Sequence, residues 1–457
     1  MQIPLIGKSD QGQYPVNLFY DPEQSDQRPA LRGIPGLKSF YASGVGAPVR
    51  AMTVFNGSLY AVIGNTVYKI NTAGIATVLT ATLSTSTGVV EMADNGTQIM
   101  LIDGTYGYII EGDVLAQITD DNFPVPASLA YQDTYFIVTE KDTGKIYISS
   151  QMDGTEWDAL DYASAEGKPD DALAIISDHR ELWILGQVST EVFYNSGDAA
   201  FPFERINGAF IEKGIGAAAS AAKLDNSVFW LTEEFQVVRA LEYTPVIVST
   251  RKIEKEIAGY ETKSDAVAYT YAQEGHSFYV LNFPTANKTW VYDVATQLWH
   301  ERRSFPTDGR HRGNCYAYFN GKHLVGDYDN GKIYELDFNT FDDDGKIQRS
   351  IHVFPPIMAG NRQNVFHFRI EIEVTSGVGL VSGQGEDPIA ILDWSNDNYN
   401  NWSNEHWLKI GKIGEYTNRV VERRMGSARW RAYRLTITDP VERCIIAPYL
   451  DAESGSY

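Results

Sequence analysis

Apolar residues along this chain fall in short runs, each led by a turn residue or pair and followed closely by a second run. After the break at Asp178-His-Arg, Glu181-Leu-Trp-Ile-Leu runs into Gly186, and Glu191-Val-Phe-Tyr follows. Two short strands around a turn predict a hairpin. One hairpin cannot bury both of its faces, so it must recur or pack on something else. It recurs from Ala51 to about Phe341. The leading strands are Ser58-Leu-Tyr-Ala-Val-Ile, Thr97-Gln-Ile-Met-Leu-Ile, Thr134-Tyr-Phe-Ile-Val, Glu181-Leu-Trp-Ile-Leu, Ser227-Val-Phe-Trp-Leu, His276-Ser-Phe-Tyr-Val-Leu and Lys322-His-Leu-Val. Their leading turns lie roughly 37 to 49 residues apart, close to the about 40 to 50 of propeller blades. A radially closed β-propeller of six or seven blades explains how these hairpins bury both faces and leave only short edges. Trp183, Phe229 and Tyr279 are expected between its sheets.

Outside the repeat the pattern changes twice. Residues 1–48 carry Pro4, Pro15, Pro22, Pro29, Pro35 and Pro48, which exclude a long helix and predict an extended N-terminal arm lying against the body. The propeller is placed at 49–345. Beyond Asp342-Asp-Asp-Gly345, Phe366, Phe368, Ile370, Ile372 and Val374 alternate with His367, Arg369, Glu371 and Glu373, a period of two that puts the first set inward. Further strands at Ile389–Trp394, Trp407–Ile410 and Arg431–Thr438 make 346–457 a C-terminal β-sandwich. The fold class is therefore all-β. The one helix predicted is Arg251-Lys-Ile-Glu-Lys-Glu-Ile-Ala, with Ile253 and Ile257 on one face and Gly259 at its end.

Composition narrows the function classes. The 457 residues include 27 Tyr and 20 Phe, a profile that favours strands, and their net charge of −21 argues against gripping nucleic acid over the whole surface. Cys315 and Cys444 alone give no disulfide framework or thiolate cluster. The opening residues lack a signal-peptide pattern, and no apolar run suits a membrane span, so a soluble chain is expected.

The segment Asp153-Gly-Thr-Glu-Trp157-Asp-Ala-Leu-Asp-Tyr-Ala-Ser-Ala-Glu, with Glu181-Leu-Trp-Ile-Leu-Gly and Phe201-Pro-Phe-Glu-Arg, resembles the packaged-DNA stabilisation proteins of short-tailed phages (podoviruses), also called tail hub or tail accessory proteins. Gly275-His-Ser-Phe-Tyr-Val-Leu, Thr289-Trp-Val-Tyr-Asp, Leu298-Trp-His-Glu-Arg, Leu324-Val-Gly-Asp and the region from Asp393 to Pro440 extend the likeness. The resemblance implies a virion protein, made in the host cytoplasm and assembled as a hexameric nozzle beneath the portal and its adaptor ring. It also implies that double-stranded DNA passes through without sequence-specific contact, that the packaged genome is retained, and that fibres, spikes or a tail needle attach. Other classes stay open: a glycan-binding propeller, which needs an exposed aromatic pocket, and a glycoside hydrolase, which needs two carboxylates converging on a cleft.

Candidate chemistry is sparse. Asp153, Gly154 and Trp157 place an Asp-Gly turn ahead of a ring that can cover the hairpin's open end. Ser395, Asp397 and Trp402 match the Asp box of sialidases, Ser-x-Asp-x-Gly-x-Thr-Trp, with Tyr399 for the Gly and Asn401 for the Thr; that box is a structural hairpin turn. No pair of carboxylates stands out as catalytic. Asp342-Asp-Asp-Gly345 lacks calcium-loop spacing because Thr340 sits where the first ligand belongs. No histidine pair has metal-ligand spacing on a helix, no Gly-rich loop follows a strand, and neither cofactor nor metal is expected. Two basic clusters remain. His300, Arg302, Arg303, Arg310 and Arg312 read as a face balanced by nearby acids. Arg419, Arg423, Arg424, Arg429, Arg431 and Arg434, with few acids beside them, are the expected docking face for an acidic partner.

Overall fold

The fold is taken from a computed structural model that describes residues 2–5, 13–25, 28–165, 170–198, 201–360 and 362–455. The chain forms two compact units interleaved along the sequence: residues 39–287 with 312–335, and residues 1–38 with 288–311 and 336–457.

The first unit is the propeller. Five four-stranded antiparallel meanders follow one another at 49–82, 91–117, 126–164, 172–211 and 222–247. A sixth blade opens with Val267–Gln273 and His276–Phe283, and a seventh is built on Gly313–Phe319, Lys322–Asp327 and the strand beginning at Lys332. Adjacent inner strands touch, the 3-10 turn Ala218–Ser220 bridging at the fifth blade, and the seventh inner strand returns to Val49–Phe55 of the first. Residues 39–48 fasten that closure. The Ser43 N–H donates to the Gly331 carbonyl at 3.2 Å, Phe40 packs edge-on to Phe319, and Tyr41 lies against Tyr68.

The blades stay together because their middle strands are apolar on both faces. Ser58–Ile63, Glu181–Gly186 and Ser227–Leu231 are almost wholly buried, as sheets stacked on both sides require. Trp183 packs among Val228, Trp230 and Val238 of the next blade, while Phe229 and Tyr279 stack at 5.4 Å across the following junction. Such rings each bury about 150–250 Å² and dominate these interfaces. The helix Arg251–Ala258 forms where its pattern placed it. Thr250 accepts from the Ile253 N–H, Ile253 and Ile257 are buried, and Gly259 follows the last turn.

The second unit is a two-sheet sandwich. One sheet orders Leu18–Ser25, Arg28–Gly33, Cys444–Ser454, Val365–Val374 and Val420–Arg423; the other orders Ser350–Val353, Ala432–Ile437, Ile389–Ser395 and His406–Lys409. Leu18, Leu31, Ile370, Ile372, Ala390, Leu392, Tyr433, Leu435 and Ile445 fill the space between them. Residues 1–48, read from the sequence as one extended arm, are thus divided. Residues 18–33 form a hairpin whose Leu31 and Arg32 pair with Ile445 and Cys444, and 39–48 belong to the propeller. Residues 1, 6–12, 26 and 27 of that stretch lie outside the described residues. Prolines exclude a long helix but permit strands of this kind, and the hairpin's partner strand lies more than 400 positions downstream, beyond the reach of any local pattern.

The strand Val365–Val374 departs from its period-two expectation. A bulge between His367 and Arg369 shifts the register against Cys444–Ser454, and one extra residue reverses the side-chain facing on one side of it. Ile370 and Ile372 point inward as predicted, but Phe366 and Phe368 are 45% and 47% exposed. His367 takes their place inside, 2.8 Å from the Tyr433 hydroxyl, and burial pushes its pKa down to about 4.

Candidate functional site

Asp153, Gly154 and Trp157 sit together in the third blade, though not as an Asp-Gly turn. The turn is one step earlier, at Gln151-Met152, where Met152 takes a φ of 59°. Gly154 lies in the strand Asp153–Ser164, and a Cβ there would come within 2.7 Å of both Ile109 and Met100, so close packing against the second blade selects the glycine. Its N–H donates to Gln98 Oε1 at 2.9 Å. The Trp157 indole N–H donates to the Gly154 carbonyl at 2.9 Å, the ring meets Phe123 edge-on, and its backbone N–H is held by Asp120. Asp153 Oδ1 accepts from the backbone and hydroxyl of Thr155. Glu166, at the end of this motif, lies outside the described residues.

Ser395, Asp397 and Trp402 form the turn between Ile389–Ser395 and His406–Lys409. The Ser395 hydroxyl donates to Asp397 Oδ1 at 2.8 Å and accepts from the Tyr399 N–H, and Asp397 accepts from the backbone and side chain of Asn401. Those donors hold the Asp397 carboxyl down at about 2. Tyr399, where the sialidase box has glycine, adopts a φ of 69°; edge-on packing against Trp430 at 4.9 Å holds it in this unfavourable region. The Ser395 hydroxyl and the Asp397 carboxylate are thus both spent on holding the turn's shape.

The six arginines of the C-terminal cluster have different roles. Arg431 is buried, donating to Asn396 Oδ1 at 2.8 Å and to the Met425 carbonyl at 2.7 Å, with its guanidinium over the Trp394 and Tyr433 rings. It belongs to the sandwich interior and is unavailable to a partner, which corrects the expectation that all six form one docking face. The cause is local: Arg431 immediately precedes the buried strand Ala432–Ile437 and, two residues before Tyr433, shares that ring's inward face. Arg434 makes a two-point contact with Asp393 and lies 4.0 Å over Trp402. Arg419 makes a similar contact with Glu371, holding that carboxyl below its usual range. Arg423, Arg424 and Arg429 are exposed, and none has an ion-pair partner among the described residues.

Arg424 sits at a tight corner with a φ of 59°, and its N–H donates to the Phe368 carbonyl at 2.9 Å. Arg423 pairs in register with Arg369, and Ser427 with Phe366. The bulge therefore sets two exposed phenylalanines beside these exposed arginines. The sequence reading missed this pairing because nothing in the residue types marks a bulge.

The propeller's own axis is narrow. Its inner strands enclose a cavity of about 320 Å³, lined by small side chains such as Ala174, Ala218 and Ala268 together with Arg50 and Glu91. Glu91 Oε2 accepts from the Ser128 hydroxyl at 2.9 Å and the Leu129 N–H at 2.6 Å. The residue lines the cavity, and desolvation pushes its carboxyl pKa up to about 7. Among the described residues, no group of three or more His, Cys, Asp or Glu side chains is placed to hold a metal ion, and no helix is long and apolar enough to cross a membrane.

The two units together define a protein built of a β-propeller and a β-sandwich. Residues 1–341 match the family described as Bacteriophage P22 Gp10, beta-propeller, and residues 351–453 the one described as Bacteriophage P22 Gp10, beta-sandwich. The chain belongs to this P22 Gp10 family of phage tail and stabilisation proteins, and is a structural component of the virion. No curated protein matches it. Solved propellers are similar at a distance. Virginiamycin B lyase from Staphylococcus aureus has 14% identity and a TM-score of 0.46, over 66% of this chain and 98% of that one. The extracellular domain of a putative one-component system from B. thetaiotaomicron has 9% identity and a TM-score of 0.45, over 94% and 61%. A computationally designed protein has 9% identity and a TM-score of 0.42, over 66% and 99%.

Proposed function

We propose that this protein is a tail hub: copies of the chain form a ring, expected to be a hexamer, beneath the portal and adaptor of a short-tailed phage. The ring extends the DNA channel, retains the packaged genome and supports its release. The observation that carries this reading beyond family membership is the narrow propeller axis. A cavity of about 320 Å³ cannot pass a duplex whose major groove alone is about 12 Å wide. A chain of this family that conducts DNA therefore does so between copies, not through a blade ring.

The charge balance fits the same reading. A wall rich in Lys and Arg would add an attraction at each passing phosphate and slow transit, and a chain of net charge −21 supplies the opposite surface. The channel wall is then neutral or negative, and Arg423, Arg424 and Arg429 face outward or toward an adaptor or neighbouring subunit, where they meet carboxylates. Phe366 and Phe368 beside them supply the apolar centre that a charged rim surrounds in stable interfaces. Fibres, spikes or a needle attach elsewhere on the ring. Adaptor binding at low and high salt tests the docking face. Replacing Arg423 and Arg424 together by Ala should weaken binding by about 1 to 5 kcal/mol, more at low salt, and wild-type affinity at both salts would remove the face from the contact.

A further inference from the structure

The propeller carries an open pocket of about 620 Å³ at the ends of its fourth to seventh inner strands, a volume inside the range of about 300–1,000 Å³ for small-ligand sites. One wall is aromatic. Tyr318, 58% exposed, stands 5.0 Å from the His323 ring; Tyr316 stacks on His323 at 6.0 Å, with its hydroxyl 2.9 Å from Nδ1; and Tyr271 lies 5.7 Å from Tyr316. Burial lowers the His323 pKa, so this wall is uncharged at neutral pH.

The facing wall is polar. The turn between Ala222–Leu224 and Ser227–Leu231 presents Asp225 and Asn226, both at positive φ, and Asp178 and Lys223 complete the rim. Its charges are largely met nearby. Asp225 accepts from Arg239 at 2.7 Å, Asp178 Oδ2 lies 2.8 Å from His179 Nδ1, and the Lys223 ammonium on the same rim donates to the Ser177 carbonyl at 3.0 Å. The Asn226 amide has no hydrogen bond among the described residues, which leaves one donor pair and one acceptor for a ligand.

An exposed ring opposite a balanced set of donors and acceptors suits a ligand with one apolar face and a rim of hydroxyls. Each hydroxyl both gives and takes a hydrogen bond, so carboxylates alone would satisfy only half of it. An organic cation would need the carboxylates unneutralised, and an anion would need more than Lys223. We infer that this pocket binds a neutral pyranose unit of a carbohydrate, with the C–H face of the sugar on Tyr318 and its hydroxyls on Asn226, Asp178 and Asp225. This activity is separate from the channel role and leaves it intact.

The test uses the full chain and saturation-transfer NMR with methyl glycosides of glucose, galactose, mannose, rhamnose and N-acetylglucosamine and with their short oligomers. At least one should bind saturably, with transfer strongest to the ring C–H protons. Tyr318→Ala should weaken that binding tenfold or more, Tyr318→Trp should retain it, and Asn226→Ala should weaken it severalfold. Because Tyr318 and Asn226 are exposed, the thermal midpoint should not move. No saturable binding by any probe, binding unchanged in Tyr318→Ala, or displacement of the sugar by tetramethylammonium would overturn the inference.

Discussion

Two stretches of this chain look alike on paper, His300 to Arg312 and Arg419 to Arg434, each a cluster of basic residues in an acidic protein. The fold consumes the first. His300, Arg302 and Arg310 are buried, Arg303 makes a two-point contact with Glu301, and Arg312 does the same with Asp327. The second is only partly consumed. Arg431 lies in the interior and Arg419 and Arg434 are paired, but Arg423, Arg424 and Arg429 face solvent without an ion-pair partner among the described residues. Counting arginines therefore does not locate a binding surface. What locates it is the charge left over after the interior has taken its share, and here that remainder sits beside two phenylalanines turned outward by a bulge.

The largest effect is expected at residues 1–30, which the sequence presents as part of an extended arm lying against the body. Ile3, Leu18, Phe19 and Ala30 are all at most 3% exposed. Losing several such side chains, at about 1.5–3 kcal/mol for each large one, removes much of the roughly 5–15 kcal/mol that holds a domain together. Truncation should abolish the sandwich's cooperative melting; an unchanged melt would mean that these residues contribute nothing inside. Next in size come the consumed arginines. Arg312→Ala leaves the fully buried Asp327 without its ion-pair partner, and Arg431→Ala removes two hydrogen bonds and a buried side chain. Each should cost about 3 kcal/mol in denaturant unfolding.

Glu91 sharpens the contrast through pH. Its folded pKa of about 7 lies above the ordinary value of 4.5, so the folded chain holds a proton that the unfolded chain releases. The associated stability is complete below about pH 4.5 and is lost as pH rises through 7. Glu91→Gln should therefore gain on the wild type between pH 5 and pH 8, by about 1 to 3 kcal/mol, read as a widening gap in thermal midpoints. A constant gap would mean that the carboxyl is fully solvated through the cavity. Smallest of all is the effect of the leftover charges on folding. Replacing Arg423 and Arg424 by Ala should change stability by less than about 1 kcal/mol, and a larger loss would place them with the consumed set.

These contrasts also mark what the sequence could convey. The two middle strands of each blade were legible because stacking on both faces makes them continuous apolar runs, as in His276–Phe283 and Glu181–Gly186. The inner and outer strands were not. Glu91–Asp94 lines a cavity with mixed residues, and Val114–Gln117 is mostly exposed, so neither carries a periodic signal. Gly154 stands out in the sequence, yet its reason lies in Ile109 and Met100 of another blade, which no local pattern supplies. The period of two assigns Phe366 and Phe368 inward, but it is an average that the bulge between His367 and Arg369 resets. The turn at Ser395–Trp402 was legible as a turn, since short polar residues that bond their own backbone identify it without tertiary context. The pocket around Tyr318 was invisible, because its walls come from four blades brought together by ring closure.

If DNA passes between copies of this chain, those copies must close into a ring, which the native mass of the full-length protein across concentration, alone and with its phage's adaptor, reads directly. A closed ring of fixed copy number, six on the present reading, is the predicted result, either unaided or on the adaptor as template. A chain that stays monomeric at every concentration under both conditions would contradict it.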